Sequence, residues 1–329
     1  MHGFHALVVR RSGQGASTVV ERRERAALAS EEVRIRVEYS GLNYKDALAL
    51  DPASKVIRDY PRVPGIDLAG EVIESRAASI PVGSRVLAHG YGIGVTIDGG
   101  LQEEAVVPAA WTVPLGDLQA REAMAIGTAG FTAAMSVMRL RAHGVTPGSG
   151  DILVTGANGG VGGMAVAMLS HLGFTVVAST GTADAAARLR TLGASEVVGR
   201  FGLADSPPRP LASERWAAVV DSTGGGSLAE VLAQVGYGGI VACSGLTAGH
   251  ELRTTVMPFV LRGVTLAGID SVQFPIEARR SLWREIESEM RFEHMDVITH
   301  EVSLDEVPRT LQDLGSQRHS GRTVVRLLA

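Results

Sequence analysis

Over about the first 120 residues the apolar positions come in short alternating or β-branched runs, among them Ala6-Leu7-Val8-Val9, Val33-Arg34-Ile35-Arg36-Val37 and Ala105-Val106-Val107, separated by Gly and Pro turns. A period of two in such residues predicts half-buried strands, so this stretch is expected to form a twisted, mostly antiparallel β lobe. From about residue 125 the pattern changes. A helix is expected over 129–141. After it come wholly apolar runs at 152–154, 174–178, 197–198, 217–220 and 239–242, which suit a parallel sheet covered on both faces. A helix over 188–194 is expected to close on Gly193, and 264–268 reads as a last strand of this half. The tail beyond about 270 returns to the first texture, with an amphipathic helix over 283–290 and a terminal strand over 323–327. Ser206-Pro207-Pro208-Arg209-Pro210 marks a loop.

One junction in the second half carries chemistry. Thr155-Gly156-Ala157-Asn158-Gly159-Gly160-Val161-Gly162 lies between the apolar strand 152–154 and the apolar run 164–169, the order strand, glycine turn, helix. Gly159 and Gly162 stand at the second and third glycines of the dinucleotide fingerprint and Ala157 at the first. There, missing side chains let backbone N–H groups at a positive helix end approach phosphate. About twenty residues on, where an acid would bind the ribose hydroxyls of NAD, the chain reads Ser179-Thr180-Gly181-Thr182, which favours NADP. Asp184 argues mildly the other way. Arg188 and Arg200 are candidate cations, with solvated surface arginine as the alternative for each.

Composition narrows the class. A chain of 329 residues with 45% hydrophobic content suits two lobes. A net charge of -4 with both signs scattered offers no basic face for nucleic acid. The start Met1-His2-Gly3-Phe4-His5 has no basic region leading into an apolar one, and no run approaches the ~20 apolar residues of a membrane span. Cys243 stands alone, so no internal disulfide forms, and a cytoplasmic location is expected. Cys243 itself reads as a small buried residue rather than a nucleophile. With nine scattered histidines it gives no zinc-ligand spacing.

Four strings together resemble one family: Ser40-Gly41-Leu42-Asn43-Tyr44-Lys45-Asp46-Ala47-Leu48, Pro64-Gly65-Ile66-Asp67-Leu68-Ala69-Gly70, Gly127-Thr128-Ala129-Gly130-Phe131-Thr132-Ala133 and Thr254-Thr255-Val256-Met257-Pro258-Phe259-Val260-Leu261-Arg262. They are similar to the medium-chain dehydrogenase/reductase superfamily, within it to the zinc-free quinone oxidoreductase group, and there to the acryloyl-CoA reductase family. The resemblance implies an α/β architecture: a GroES-like β-rich catalytic domain over 1–123 and 270–329, and a Rossmann doubly wound parallel sheet over 124–269. It implies no metal, since zinc relatives place a cysteine at Asn43 and a histidine-glutamate pair at Ile66-Asp67. It implies NADP(H), contacted by Ala47, Gly159, Gly160, Val161, Gly162, Gly163, Thr180, Thr182, Arg200, Leu246, Ser271 and Arg322. A homodimer joined through 265–269 is expected by the same analogy.

Two positions depart from the family. Thr182 stands where relatives commonly carry an arginine for the 2′-phosphate, and Asp98 stands where they usually show a tryptophan before paired glycines, on a loop bordering the substrate side. Without a Lewis acid, an activated C=C is easier to reduce than an alcohol is to oxidise, because its conjugated carbonyl takes the charge as an enolate. The expected reaction is therefore reduction of a short enoyl-CoA such as acryloyl-CoA. A quinone or enone oxidoreductase and a non-catalytic nucleotide-binding relative are the alternatives. Tyr44 is the candidate donor to the enolate oxygen or proton relay, against a packing role. Asn43 is a candidate amide donor or a turn former. Asp67 either orients Lys45 or an arginine, or stabilises the turn after Pro64-Gly65.

Overall fold

The computed structural model describes residues 3–13, 15–203 and 209–328. Met1 and His2, and the Ser206-Pro207-Pro208 part of the expected loop, lie outside the described residues. The elements run β1 (Gly3–Ser12), β2 (Gly15–Glu24), β3 (Glu32–Leu42), α1 (Tyr44–Leu48), β4 (Asp67–Ser75), β5 (Arg85–His89), β6 (Glu104–Pro108), β7 (Thr112–Pro114) and α2 (Ala120–Ala142). They continue as β8 (Ile152–Val154), α3 (Gly160–His171), β9 (Val176–Ser179), α4 (Ala186–Thr191), β10 (Glu196–Val198), β11 (Trp216–Asp221), α5 (Gly225–Leu232), β12 (Val235–Cys243), α6 (Met257–Arg262) and β13 (Thr265–Gly268). The tail holds α7 (Ile276–Ser288), β14 (Thr299–Ser303), α8 (Val307–Gly315) and β15 (Arg322–Arg326). The chain divides into two compact units, one of residues 1–128, 272–287 and 299–329 and one of residues 129–271 and 288–298. The segment 288–298, grouped by sequence with the β lobe, thus falls in the second unit, where the buried Ile298 comes within 3.9 Å of the space a side chain at Gly163 would occupy.

The first unit is the β-rich one. Its main sheet runs β14-β15-β3-β4-β5-β7 with β6 also paired to β3, and a β1-β2 hairpin stands as a second sheet. All these pairs are antiparallel except β14 with β15. The alternation read along 33–37 puts Val33, Ile35 and Val37 in one core with Leu68, Val72, Val86 and Val107.

The second unit is a six-stranded sheet in the order β10-β9-β8-β11-β12-β13, all parallel. Strands such as Ile152-Leu153-Val154 are wholly buried, which explains runs without alternation. The order reverses between β8 and β11, and ligands of such sheets bind beyond the strand ends at that reversal.

Several boundaries differ from the sequence pattern, with physical causes. α7 begins at Ile276 rather than 283, because its buried face is Arg279, Leu282, Trp283 and Ile286 and a buried arginine hides the first turn from a hydrophobic pattern. α2 is two helices joined at Gly127, whose φ of 50° and ψ of −158° only glycine adopts readily. A Cβ there would stand 2.4 Å from Asp67 Oδ2. By length and composition α2 is apolar enough to cross a membrane, but 83% of its apolar window is buried within the protein's own fold. Gly193, with φ of 98°, lies one residue beyond the α4 C-cap Leu192 and ends that helix.

Candidate active site

In the second unit the glycine turn leads from β8 into α3. Gly156, not Ala157, takes the left-handed turn, with φ of 60°, and a side chain there would meet Ser222 Oγ at 2.5 Å. Gly159 is the N-cap of α3 and no side chain caps the helix, so the N–H groups of its first turn face outward along the axis. At Gly162 a Cβ would come within 2.4 Å of the Gly156 carbonyl and 2.7 Å of the Ala157 Cα, so the helix and the turn approach to backbone contact. Bare donors at a positive helix end, with backbone exposed by glycine, fit a dinucleotide pyrophosphate.

At the end of β11, the buried Asp221 organises the other side of the sheet's reversal. Its Oδ1 accepts from Thr155 Oγ1 at 2.7 Å and Thr223 Oγ1 at 2.9 Å, and its Oδ2 accepts from the Gly224 N–H at 2.8 Å. Burial and the adjacent Asp221 push the Cys243 thiol up to about 11, so it stays protonated at neutral pH; it is half-buried, not buried as its sequence context suggested.

The expected cofactor residues of this unit converge in part. Gly159, Gly160, Val161, Gly162 and Gly163 form the turn and the start of α3. Thr180 and Thr182 lie beyond β9, where Thr180 Oγ1 accepts from the Thr182 N–H at 3.1 Å and Thr182 Oγ1 accepts from Asn158 Nδ2 at 3.2 Å. Arg200 lies against Gly181, where a Cβ would be 3.0 Å from its Nε. Leu246 is 61% exposed beyond β12, its Cα 3.2 Å from the space of a side chain at Gly224. Ser271 is buried and accepts from Thr132 Oγ1 at 2.9 Å.

Ala47 and Arg322, the other two residues expected at the cofactor, belong to the first unit. Arg322 is buried. Nε donates to the Ala125 carbonyl at 2.9 Å, and Nη1 donates to the Leu42 carbonyl at 2.8 Å and Asn43 Oδ1 at 3.0 Å. Nη2 donates to the Met124 carbonyl at 3.3 Å and Asp67 Oδ2 at 3.5 Å. Its five N–H donors are all met by protein oxygens, and it pairs with Asp67.

The first unit gathers Asn43, Tyr44 and Asp67 around Arg322. Asp67 Oδ2 accepts from Asn43 Nδ2 at 2.8 Å and from the Thr128 N–H at 3.0 Å, while Oδ1 accepts from Thr128 Oγ1 at 2.5 Å. The arginine expected to partner Asp67 is thus Arg322. The turn after Pro64-Gly65 is held not by Asp67 but by Asp46, whose Oδ1 accepts from the Gly65 and Ile66 N–H groups, each at 3.0 Å. Asp46 Oδ2 accepts from the Asn43 N–H at 2.8 Å, half of a capping box on α1. Burial, followed by the nearby Asp67, pushes Asp46 up to about 7, against the pull of those three N–H groups. Tyr44 opens α1 half-buried, and its hydroxyl makes no hydrogen bond among the described residues.

Sequence reasoning passed over Asp46, His89, Thr128 and Arg279. Trp283 Nε1 donates to His89 Nε2 at 2.9 Å, while His89 Nδ1 lies 2.8 Å from Arg279 Nη1 and 3.3 Å from Thr128 Oγ1. Burial and then Arg279 push His89 well below the usual imidazole range. Arg279 donates to the His89 carbonyl at 3.0 Å. The one available signal was Asp46 three residues after Asn43, the spacing of a capping box; the others are joined only by the fold. Among the described residues no three His, Cys, Asp or Glu side chains are grouped to hold a metal ion. Asp98, the departure on the loop, pairs with Arg23 at 2.6 Å and Arg62 at 3.4 Å and accepts from the Val63 N–H at 3.0 Å. It ties β2 to the loop at 62–63.

The family model of the alcohol dehydrogenase GroES-like domain matches residues 29–117, and that of the zinc-binding dehydrogenase matches residues 160–288. The chain is 45% identical to the putative quinone oxidoreductase YhfP of Bacillus subtilis, over 98% of this chain and 99% of that one. The solved structure of yhfP with NAD bound superposes with a TM-score of 0.95, covering 99% and 100% of the two chains. Identity to the acrylyl-CoA reductase AcuI of Ruegeria pomeroyi is 43%, over 98% of each chain. The yhdH oxidoreductase of Salmonella enterica, solved in complex with NADP, is 40% identical with a TM-score of 0.94, covering 98% of this chain and 100% of that one.

Proposed function

The chain belongs to the zinc-free quinone oxidoreductase and acryloyl-CoA reductase group of the medium-chain dehydrogenase/reductase superfamily, and from that premise we propose that it reduces the activated C=C bond of a short enoyl-CoA such as acryloyl-CoA with NADPH, without zinc. When bound, the cofactor supplies hydride to the β-carbon. The glycine turn and the unguarded N-terminus of α3 hold its pyrophosphate. Tyr44 donates a hydrogen bond to the thioester oxygen as charge develops there, and the enolate is then protonated at the α-carbon. Asn43 and Asp67 act through Tyr44 as positioning residues, because their polar atoms are already engaged.

The observation that carries this reading is Tyr44, a half-buried phenol without a protein hydrogen bond, at the start of a five-residue helix tied down by Asp46 and Asn43. The 43% identity to an acrylyl-CoA reductase supports the substrate class, and the 45% identity to a putative quinone oxidoreductase supports the same chemistry on a quinone. The test is NADPH oxidation with acryloyl-CoA beside 1,4-benzoquinone at equal concentration, with NADH as control. Preference for acryloyl-CoA is expected. Turnover of the quinone alone replaces the substrate, and turnover of neither with NADPH still bound makes the chain a non-catalytic nucleotide binder. Tyr44→Phe is expected to lower kcat by roughly 100-fold or more with NADPH affinity unchanged. Unaltered turnover removes Tyr44 from the mechanism.

A further inference from the structure

The hydroxyl-rich turn beyond β9 is joined to α4 by a chain of hydrogen bonds through the glycine turn. Asn158 stands within that glycine turn. Its Nδ2 donates to Thr182 Oγ1 at 3.2 Å, and its Oδ1 accepts from Nη2 of Arg188. The amide orientation follows from these neighbours, since a guanidinium only donates. Arg188 is therefore not a surface side chain adrift in solvent. It is half-buried and anchored beside the strand end that meets the adenosine ribose in this fold. Burial pushes its guanidinium down from the usual value, which marks desolvation of a group that stays charged at neutral pH.

A second cation reaches the same turn. Arg200 is exposed, forms no ion pair among the described residues, and packs its guanidinium on Gly181, 3.0 to 3.1 Å from where a Cβ would stand. A side chain at 181 would require the guanidinium to give by a few tenths of an ångström. The nearest acid in sequence, Asp184, lies in the 3-10 turn Ala183–Ala185, is exposed and makes no hydrogen bond among the described residues.

We propose that Arg188 is the residue through which this chain recognises the 2′-phosphate of NADP(H), in place of an arginine at position 182, with Arg200 as the second cation. Thr182 is too short and neutral to offset a phosphate dianion. Arg188 reaches the same turn from α4, and Asn158, itself bonded to Thr182, holds it there. Planar guanidinium donors match phosphate oxygens two at a time, which a hydroxyl cannot. The assignment rests on the NADPH-dependent reading and deepens it.

Equilibrium binding of NADPH and NADH to the full-length protein, followed by fluorescence titration, tests it with Arg188→Ala and Arg188→Gln. The glutamine keeps a donor for Asn158 and removes the charge. Both variants are expected to weaken NADPH by about 10- to 100-fold, the worth of a hydrogen-bonded charge pair, and to leave NADH within about two-fold. Equal weakening of both cofactors makes Arg188 a support for the glycine turn and overturns the assignment. So does wild-type NADPH affinity in either variant. Selective loss of NADPH without any reduction of enoyl-CoA by the wild type leaves this inference standing while the reaction assignment fails. Reduction of acryloyl-CoA with variants indifferent to the phosphate does the reverse, and a wild type that binds neither cofactor overturns both.

Discussion

Asp46 is the buried acid on which the Tyr44 turn depends, and its replacement by asparagine reports on both stability and protonation. Asp46 Oδ2 takes the Asn43 N–H at 2.8 Å, and Oδ1 takes those of Gly65 and Ile66 at 3.0 Å each. An asparagine has one oxygen and one amino group, so whichever way it turns at least one buried N–H faces another donor. An unsatisfied buried donor costs about 1–3 kcal/mol. The charge acts in the opposite direction. With the folded value pushed up to about 7 from the ordinary carboxylate value of 3.8, the native state of the wild type holds a proton that the unfolded state has lost across that window. Stability contributed by this group is therefore fully present below about pH 4 and falls as pH rises, by about 1.4 kcal/mol per unit and roughly 4 kcal/mol in all, levelling off above pH 7.

His89 titrates with the opposite sign. Its folded value lies well below 6.5, so the unfolded state binds the extra proton and stability rises with pH up to about 6.5. The two slopes partly cancel in the wild type alone, and only the difference between wild type and Asp46→Asn isolates Asp46. Thermal midpoints at pH 5, 6, 7 and 8 are the measurement. The variant is expected to be the less stable protein at pH 5, and the gap is expected to close or reverse by pH 8. A gap independent of pH would show that Asp46 does not change protonation in the native state, and a gap widening with pH would show that its three N–H bonds outweigh burial. Either result refutes the reasoning.

Gly162→Val places a side chain whose Cβ starts 2.4 Å from the Gly156 carbonyl, where only backbone lies in the way, so it is expected to weaken NADPH binding at least about 10-fold in fluorescence titration; normal affinity would count against the pyrophosphate assignment. We further propose a homodimer through the free edge of β13 and the neighbouring α6, where Val256, Val260 and Leu261 are 69%, 75% and 56% exposed. Light scattering is expected to give twice the chain's mass for the wild type and the single mass for Val260→Glu, and a monomeric wild type refutes it.

Sequence exposed what depends on periodicity. Ile152-Leu153-Val154 and Val219-Val220 announce buried strands, and Gly162 announces a close helix approach, because each signal is local in the chain. The polar cluster of the first unit was half legible. Asn43 and Asp67 were visible as residues, but their meaning comes from Arg322, 279 positions beyond Asn43, and from Thr128 beyond the Gly127 break. Arg279 illustrates the failure most clearly. Read along the chain it is one more charge on an amphipathic helix, and only the fold brings it to the His89 carbonyl and so buries it.

Among the three candidates Tyr44, Asn43 and Asp67, we give the chemical role to Tyr44, because of the partners the other two hold. Each atom of the Asn43 amide has a protein partner, Nδ2 on Asp67 and Oδ1 under Arg322, and its backbone N–H is spent on Asp46. Asp67 is fully buried and takes donors from Asn43, Thr128 and Arg322. To reach a substrate, either would have to abandon a buried, charge-assisted bond, at a cost of about 1.5–3 kcal/mol before any gain. Tyr44 faces no such cost, because its hydroxyl holds no protein partner to lose. The commitments of its neighbours fix where the phenol stands: Asp46 ties the N-cap to the Gly65 turn, and Asp67 with Arg322 holds the amide that begins the helix. Preorganisation of this kind places a donor before charge develops and removes the reorganisation that water would need. Loss of Asp67 or Asn43 should therefore act on turnover through the position of Tyr44, in proportion to how far α1 moves.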